Sequence, residues 1–79
     1  MVKIAFVQPA RRDMMTIYYD ERAKENPYRI YTEGYEQKDG DYAPRHFKRQ
    51  VNRYADLASA MYIMYVYALN NNEDVRKRP

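Results

Sequence analysis

From Pro44 to Asn70 the apolar residues Phe47, Val51, Tyr54, Ala58, Met61, Tyr65 and Ala68 recur in alternating steps of four and three. That spacing predicts one long amphipathic helix, entered at Pro44, whose missing N–H has no intrahelical partner to lose. Asn70, Asn71 and Asn72 can adopt left-handed backbone and end it. On the opposite side of the wheel lie Arg45, Lys48, Arg49 and Asn52, followed by Tyr62, Ile63, Val66 and Tyr67. A second reading makes Arg45 to Tyr54 a fourth strand, with Asp56 as N-cap of a shorter helix from Leu57. The period favours the long helix. As a strand, one face would mix Phe47 and Val51 with Arg45, Arg49 and Arg53, whereas the helical pattern separates apolar from charged positions.

Upstream the pattern changes to that of strands. Val2 to Gln8 is β-branched and aromatic and stops at Pro9; Arg11-Arg12-Asp13 is a turn or short loop, and Met14 to Tyr19 is a second β-forming segment. The charged run Asp20 to Glu25 reads as a solvated loop or a single helical turn, and Asn26-Pro27 as a turn. Tyr28 to Gln37 then alternates as a third strand, with Gly34 a candidate bulge. Lys38-Asp39-Gly40-Asp41 has the chemistry of a tight reversal. The expected architecture is α+β: a short antiparallel sheet of about three strands packed against one long C-terminal helix. Residues 1–72 form the domain and 73–79 a mobile charged tail.

A chain of 79 residues makes one domain. At that length only about 60% of the unfolded surface is buried, so the core is marginal. The absence of cysteine removes disulfides and thiolate metal sites and fits a reducing cytoplasm. The first apolar run is too short and too interrupted for a signal peptide, and Leu57 to Leu69 falls short of a membrane span; both point to a soluble, unexported protein. Net charge is +3, with four of the fourteen basic residues between Arg45 and Arg53, and Arg76, Lys77 and Arg78 near the end. Ten of the twelve aromatics are tyrosine, a residue suited to half-wet surfaces and interfaces, or to the rim of a small sheet.

Candidate chemistry is thin. His46 and Ser59 are the sole histidine and serine, too far apart on the expected helix for a nucleophile–base pair. Asp39 and Asp41 flank Gly40 without the further ligands of a calcium loop. Glu36-Gln37-Lys38 carries the acid-x-lysine spacing of some metal-dependent nucleases, but the tripeptide is common by chance. Gly34 and Gly40 cannot make a phosphate loop. These residues predict a protein that is not an enzyme and holds no cofactor or metal.

Binding is the remaining reading. Arg45, Lys48 and Arg49 near a helix start oppose the helix dipole, so they form either a solvated face or a contact for phosphates or acidic protein. Tyr62, Ile63, Val66 and Tyr67 either pack under the first strand or tail, or meet a homodimer mate or another partner.

Asn26-Pro27-Tyr28-Arg29-Ile30-Tyr31-Thr32 and Gln50-Val51-Asn52-Arg53-Tyr54-Ala55-Asp56-Leu57-Ala58-Ser59-Ala60 resemble segments of small uncharacterised proteins encoded by bacteriophages of Gram-positive hosts. The resemblance covers about a quarter of the chain and brings no catalytic motif. It implies a short accessory protein that binds and inhibits a host protein or ribonucleoprotein in the host cytoplasm, as anti-CRISPR proteins do. The mild basicity departs from inhibitors that mimic DNA. The expected partner-binding residues are Arg45, Lys48, Arg49, Asn52, Arg53, Tyr62, Ile63, Val66 and Tyr67. The alternative is a DNA- or RNA-binding module that presents the basic helix face to phosphates.

Overall fold

β-Branched and aromatic residues dominate the first three elements, and each extends as a strand: β1 (Val2–Val7), β2 (Met14–Tyr19) and β3 (Tyr28–Lys38). The computed structural model describes the backbone of residues 1–10, 12–38 and 41–77, and the side chains of these residues outside 35–47. A long fourth strand, β4 (Asp41–Tyr54), returns along β3 and is followed by helix α1 (Leu57–Asn70) and a two-residue strand, β5 (Arg76–Lys77). The described strands form one antiparallel sheet in the order β4-β3-β2-β1-β5. The class is α+β as expected, but the sheet has five strands and the helix is half the expected length.

The single helix from Pro44 is therefore corrected: residues 41–54 pair with β3, and Pro44 lies in an edge strand, where proline is tolerated. The reason is a break in strand register. Ile30 faces Asn52 and Tyr31 faces Gln50, which leaves Val51 as the extra residue of a bulge. Beyond a bulge the faces exchange parity, so Asn52 and Tyr54 share a side with Arg49 rather than with Gln50. A period of two broken at Val51 imitates a helical period over the same window. Gly34, by contrast, pairs regularly with Phe47 and is not the bulge. The Asp39-Gly40 reversal lies outside the described residues, while Lys38 and Asp41 on either side of it are register partners.

Asp56 ends the strand run and starts the helix. Its carboxylate accepts the Ser59 N–H at 2.9 Å and the Ser59 hydroxyl at 2.9 and 3.0 Å. At the other end the Asn71 and Glu73 N–H groups donate to the Ala68 carbonyl, and Asn72 takes φ 51°, the left-handed conformation expected of this asparagine run. The chain then returns to the sheet. Arg76 and Lys77 face Phe6 and Ala5 across the β1 edge, so the segment expected to be a mobile tail contributes a strand; Arg78 lies outside the described residues.

α1 covers one side of the sheet. Val7, Ile17 and Ile30 from three strands meet Ala60, Met64 and Ala68 from the helix, flanked by Met15, Tyr28, Tyr54, Met61, Ile63 and Tyr67. The inward stripe is thus Ala60-Met64-Ala68, not Met61-Tyr65-Ala68. Tyr65 is 51% exposed and Val51 48% exposed.

Candidate functional site

Because β4 and α1 are separate elements, the expected contact surface divides into two. Lys48, Arg49, Asn52 and Arg53 belong to the edge strand β4, and the register sets Arg45 opposite Glu36, with both side chains outside the described residues. Residues opposed across antiparallel strands share a face. Lys48 and Arg53, opposite Glu33 and Arg29, therefore lie on the side away from α1. Arg49 and Asn52, opposite Thr32 and Ile30, lie on the helix side. Asn52 is engaged locally: its amide donates to the Tyr54 hydroxyl at 2.7 Å, and its side-chain oxygen accepts the Arg53 N–H at 2.8 Å.

The four expected residues of α1 divide as well. Tyr62 and Val66 are exposed at 67% and 40%. Ile63 instead packs against the core, and Tyr67 is half-buried with its hydroxyl donated to the Asp13 carbonyl at 2.6 Å, tying the helix to the β1–β2 loop. Burial, with the Asp13 charge as a second cause, raises the Tyr67 phenol above its ordinary pKa. The Asp56 carboxyl moves the other way, held below its ordinary value by the Ser59 N–H and then by the Ser59 hydroxyl.

Sequence reasoning missed Tyr65 and Leu69, the latter 78% exposed. A signal was present: α1 carries no charged side chain from Leu57 to Asn70, so whichever side faces outward must be largely apolar. Tyr62, Tyr65, Val66 and Leu69 form that side. Beside it, where α1 leaves β4, Tyr54, Ala58, Ser59, Tyr62 and Ile63 line an open, mostly apolar groove of about 470 Å³.

The sheet face away from α1 has a different character. Lys48 Nζ stands 3.8 Å from the Tyr18 ring centre and 4.8 Å from that of Tyr31, and the two rings meet edge to face at 5.3 Å. Lys3 Nζ lies 5.7 Å from the Phe6 ring and 6.0 Å from Tyr18. Tyr18 donates to Glu33 at 2.7 Å and Tyr31 to Gln50 at 3.1 Å, which holds both rings in place. At one end Arg29 pairs with Asp20 at 3.2 Å.

No trio of His, Cys, Asp or Glu among the described residues is arranged to hold a metal ion, and no described helix is long and apolar enough to cross a membrane. The side chains of Glu36, Lys38 and His46 lie outside the described residues. No protein-family model matches the chain, and neither a curated protein nor a solved structure matches it.

Proposed function

We propose that this protein is a non-enzymatic accessory protein of the phage type, which inhibits a host protein or ribonucleoprotein in the host cytoplasm by occupying it. The observation that carries the reading is the outer face of α1, where Tyr62, Tyr65, Val66 and Leu69 stand in water on a helix without a single charge. A contiguous apolar face of this kind on a small chain is the usual mark of a protein contact. Two exposed tyrosines supply large, stiff anchors, and the groove beside Tyr62 can receive a side chain from the partner. The occupant is an apolar surface of another protein, since a charged one would lose water without gaining a countercharge.

Capture from a bacterial lysate tests this, with wild type compared against the double variant Tyr62→Glu, Leu69→Glu. Retention of defined proteins by wild type, with or without nuclease treatment, and their loss from the folded double variant is the expected result. Inhibition of the captured complex should saturate at a fixed molar ratio. Equal capture by both proteins overturns the proposed face, and inactivation of excess target by trace protein overturns the non-enzymatic reading. A wild-type dimer in sedimentation, dissociated by the same substitutions, assigns the face to a second copy instead.

A further inference from the structure

We infer that the sheet face away from α1 is a platform for single-stranded nucleic acid. The register builds it in rows. Arg76, Phe6, Thr16, Tyr31 and Gln50 are successive partners across all five strands, and Lys3, Tyr18, Arg29 and Arg53 form the neighbouring row. Met14, Glu33 and Lys48 make a third. Strands about 4.8 Å apart make the first row about 19 Å long, with the next row about 6.6 Å away. Rings and cations are therefore interspersed on one face. That combination suits a strand whose bases stack while its phosphates meet positive charge.

Charge complementarity favours this occupant over an apolar one. Among the described residues Lys3, Arg29, Lys48, Arg53 and Arg76 lie on the face, with the carboxylates of Glu33 and Asp20. Glu33 is 7% exposed and accepts from Tyr18, and Asp20 is paired with Arg29. Arg29 and Arg53 stand directly opposite one another, an arrangement that weakens a sheet when nothing anionic lies between. Among the described residues Arg53 has no ion-pair partner. The two arginines also line an open polar pocket of about 330 Å³ with Lys24, Asn26 and Glu25; with Arg29 paired to Asp20, Lys24 and Arg53 remain there against the Glu25 carboxylate. A phosphate group has the charge and acceptor oxygens to fill it.

The rings are covered by exchangeable cations. Lys48 is exposed, and its contact with Tyr18 and Tyr31 is one that a stacking base can displace, because base–ring stacking is the stronger interaction at an exposed site. The released ammonium is then free to meet a phosphate. Unpaired bases are required, since a duplex keeps its base faces stacked on one another. The face lies across the sheet from α1, so the two surfaces can be tested separately.

The test is fluorescence anisotropy with labelled single-stranded oligothymidylate and oligouridylate of about twenty nucleotides, enough to span a site of this size, over a series of salt concentrations. Saturable binding is expected, with log K falling against log salt at a slope of about −3, from four or five phosphate contacts. Arg53→Glu and Lys48→Glu should each weaken binding at least tenfold. Tyr31→Ala should do so by about tenfold while leaving the salt slope unchanged, and Tyr31→Leu, which keeps the bulk without the ring, repeats the test if the alanine variant fails to fold. Tyr62→Glu, Leu69→Glu should bind as wild type does, which separates this proposal from the protein contact on α1. No saturable binding at low salt overturns the inference. So does equal affinity for a duplex that is indifferent to both Tyr31 variants, or equal affinity for anionic phospholipid vesicles, since either would mean unspecific attraction to negative charge.

Discussion

Met64→Ala and Tyr65→Ala together test which side of α1 faces the sheet. Met64 has no exposed surface and belongs to the core cluster with Val7, Ile17, Ile30 and the helix alanines. Truncating a buried methionine forfeits its transfer energy and leaves a cavity, about 2–5 kcal/mol in all. A chain of this length has a total stability of about 4–12 kcal/mol, so the variant loses a substantial part of it. On melting, a small domain shifts by about 4–8 °C per kcal/mol, and the midpoint should fall by about 8 °C or more. Tyr65 is 51% exposed. Its truncation loses about half the burial energy of a large side chain and regains about 0.5 kcal/mol of helix propensity, a net cost of about 1 kcal/mol or less. Urea titrations followed by far-ultraviolet circular dichroism give both values, and an unchanged dependence on urea shows that the variants unfold from comparable native states. The periodic stripe through Met61, Tyr65 and Ala68 requires the reverse order. A Tyr65→Ala loss equal to or larger than that of Met64→Ala would refute the packing described here.

Tyr67→Phe removes a hydrogen bond rather than a contact residue and should cost about 1 kcal/mol. Because the folded phenol keeps its proton above its ordinary value of 10.0, the stability it contributes is fully present below that value and is lost as pH rises through the folded pKa. The gap in urea midpoint between wild type and Tyr67→Phe should therefore narrow at alkaline pH; a constant gap rejects the assignment. Asp56→Ala should lower the urea midpoint at neutral pH and Asp56→Asn much less, since the asparagine oxygen still caps. With the folded carboxyl held below 3.8, the advantage of wild type over Asp56→Ala exists above that value and disappears as pH falls through the folded pKa. Were residues 44–70 one continuous helix, alanine at this interior position would instead stabilise the protein.

Much of the architecture was legible in local chemistry. β2 and the start of β3 lie where β-formers and the Asn26-Pro27 turn placed them, and the helix ends at the asparagines, with Asn72 in the left-handed region. These features depend on a residue and its near neighbours, which is what a sequence displays directly. β4 was visible as an alternative, with Asp56 as N-cap and Leu57 as first helical residue, but the bulge at Val51 hid its alternation. A bulge is set by pairing with another strand, and nothing within residues 45–54 marks its position.

The candidate surfaces needed the tertiary structure for the same reason. An uncharged helix ensures an apolar outer face, yet its sequence holds no contrast to say whether Tyr65 or Met64 turns inward; the shape of the sheet decides that. Lys3, Tyr18, Tyr31, Lys48 and Arg53 come from four strands and share a face only because of their register. The Arg76–Phe6 pairing likewise depends on a two-residue strand too short to show any period. Sequence alone thus determined the residue types, most element boundaries near turns and caps, and the lack of charge on the helix. Tertiary structure decided which residues meet, because strand register and helix orientation are set by contacts between segments distant along the chain.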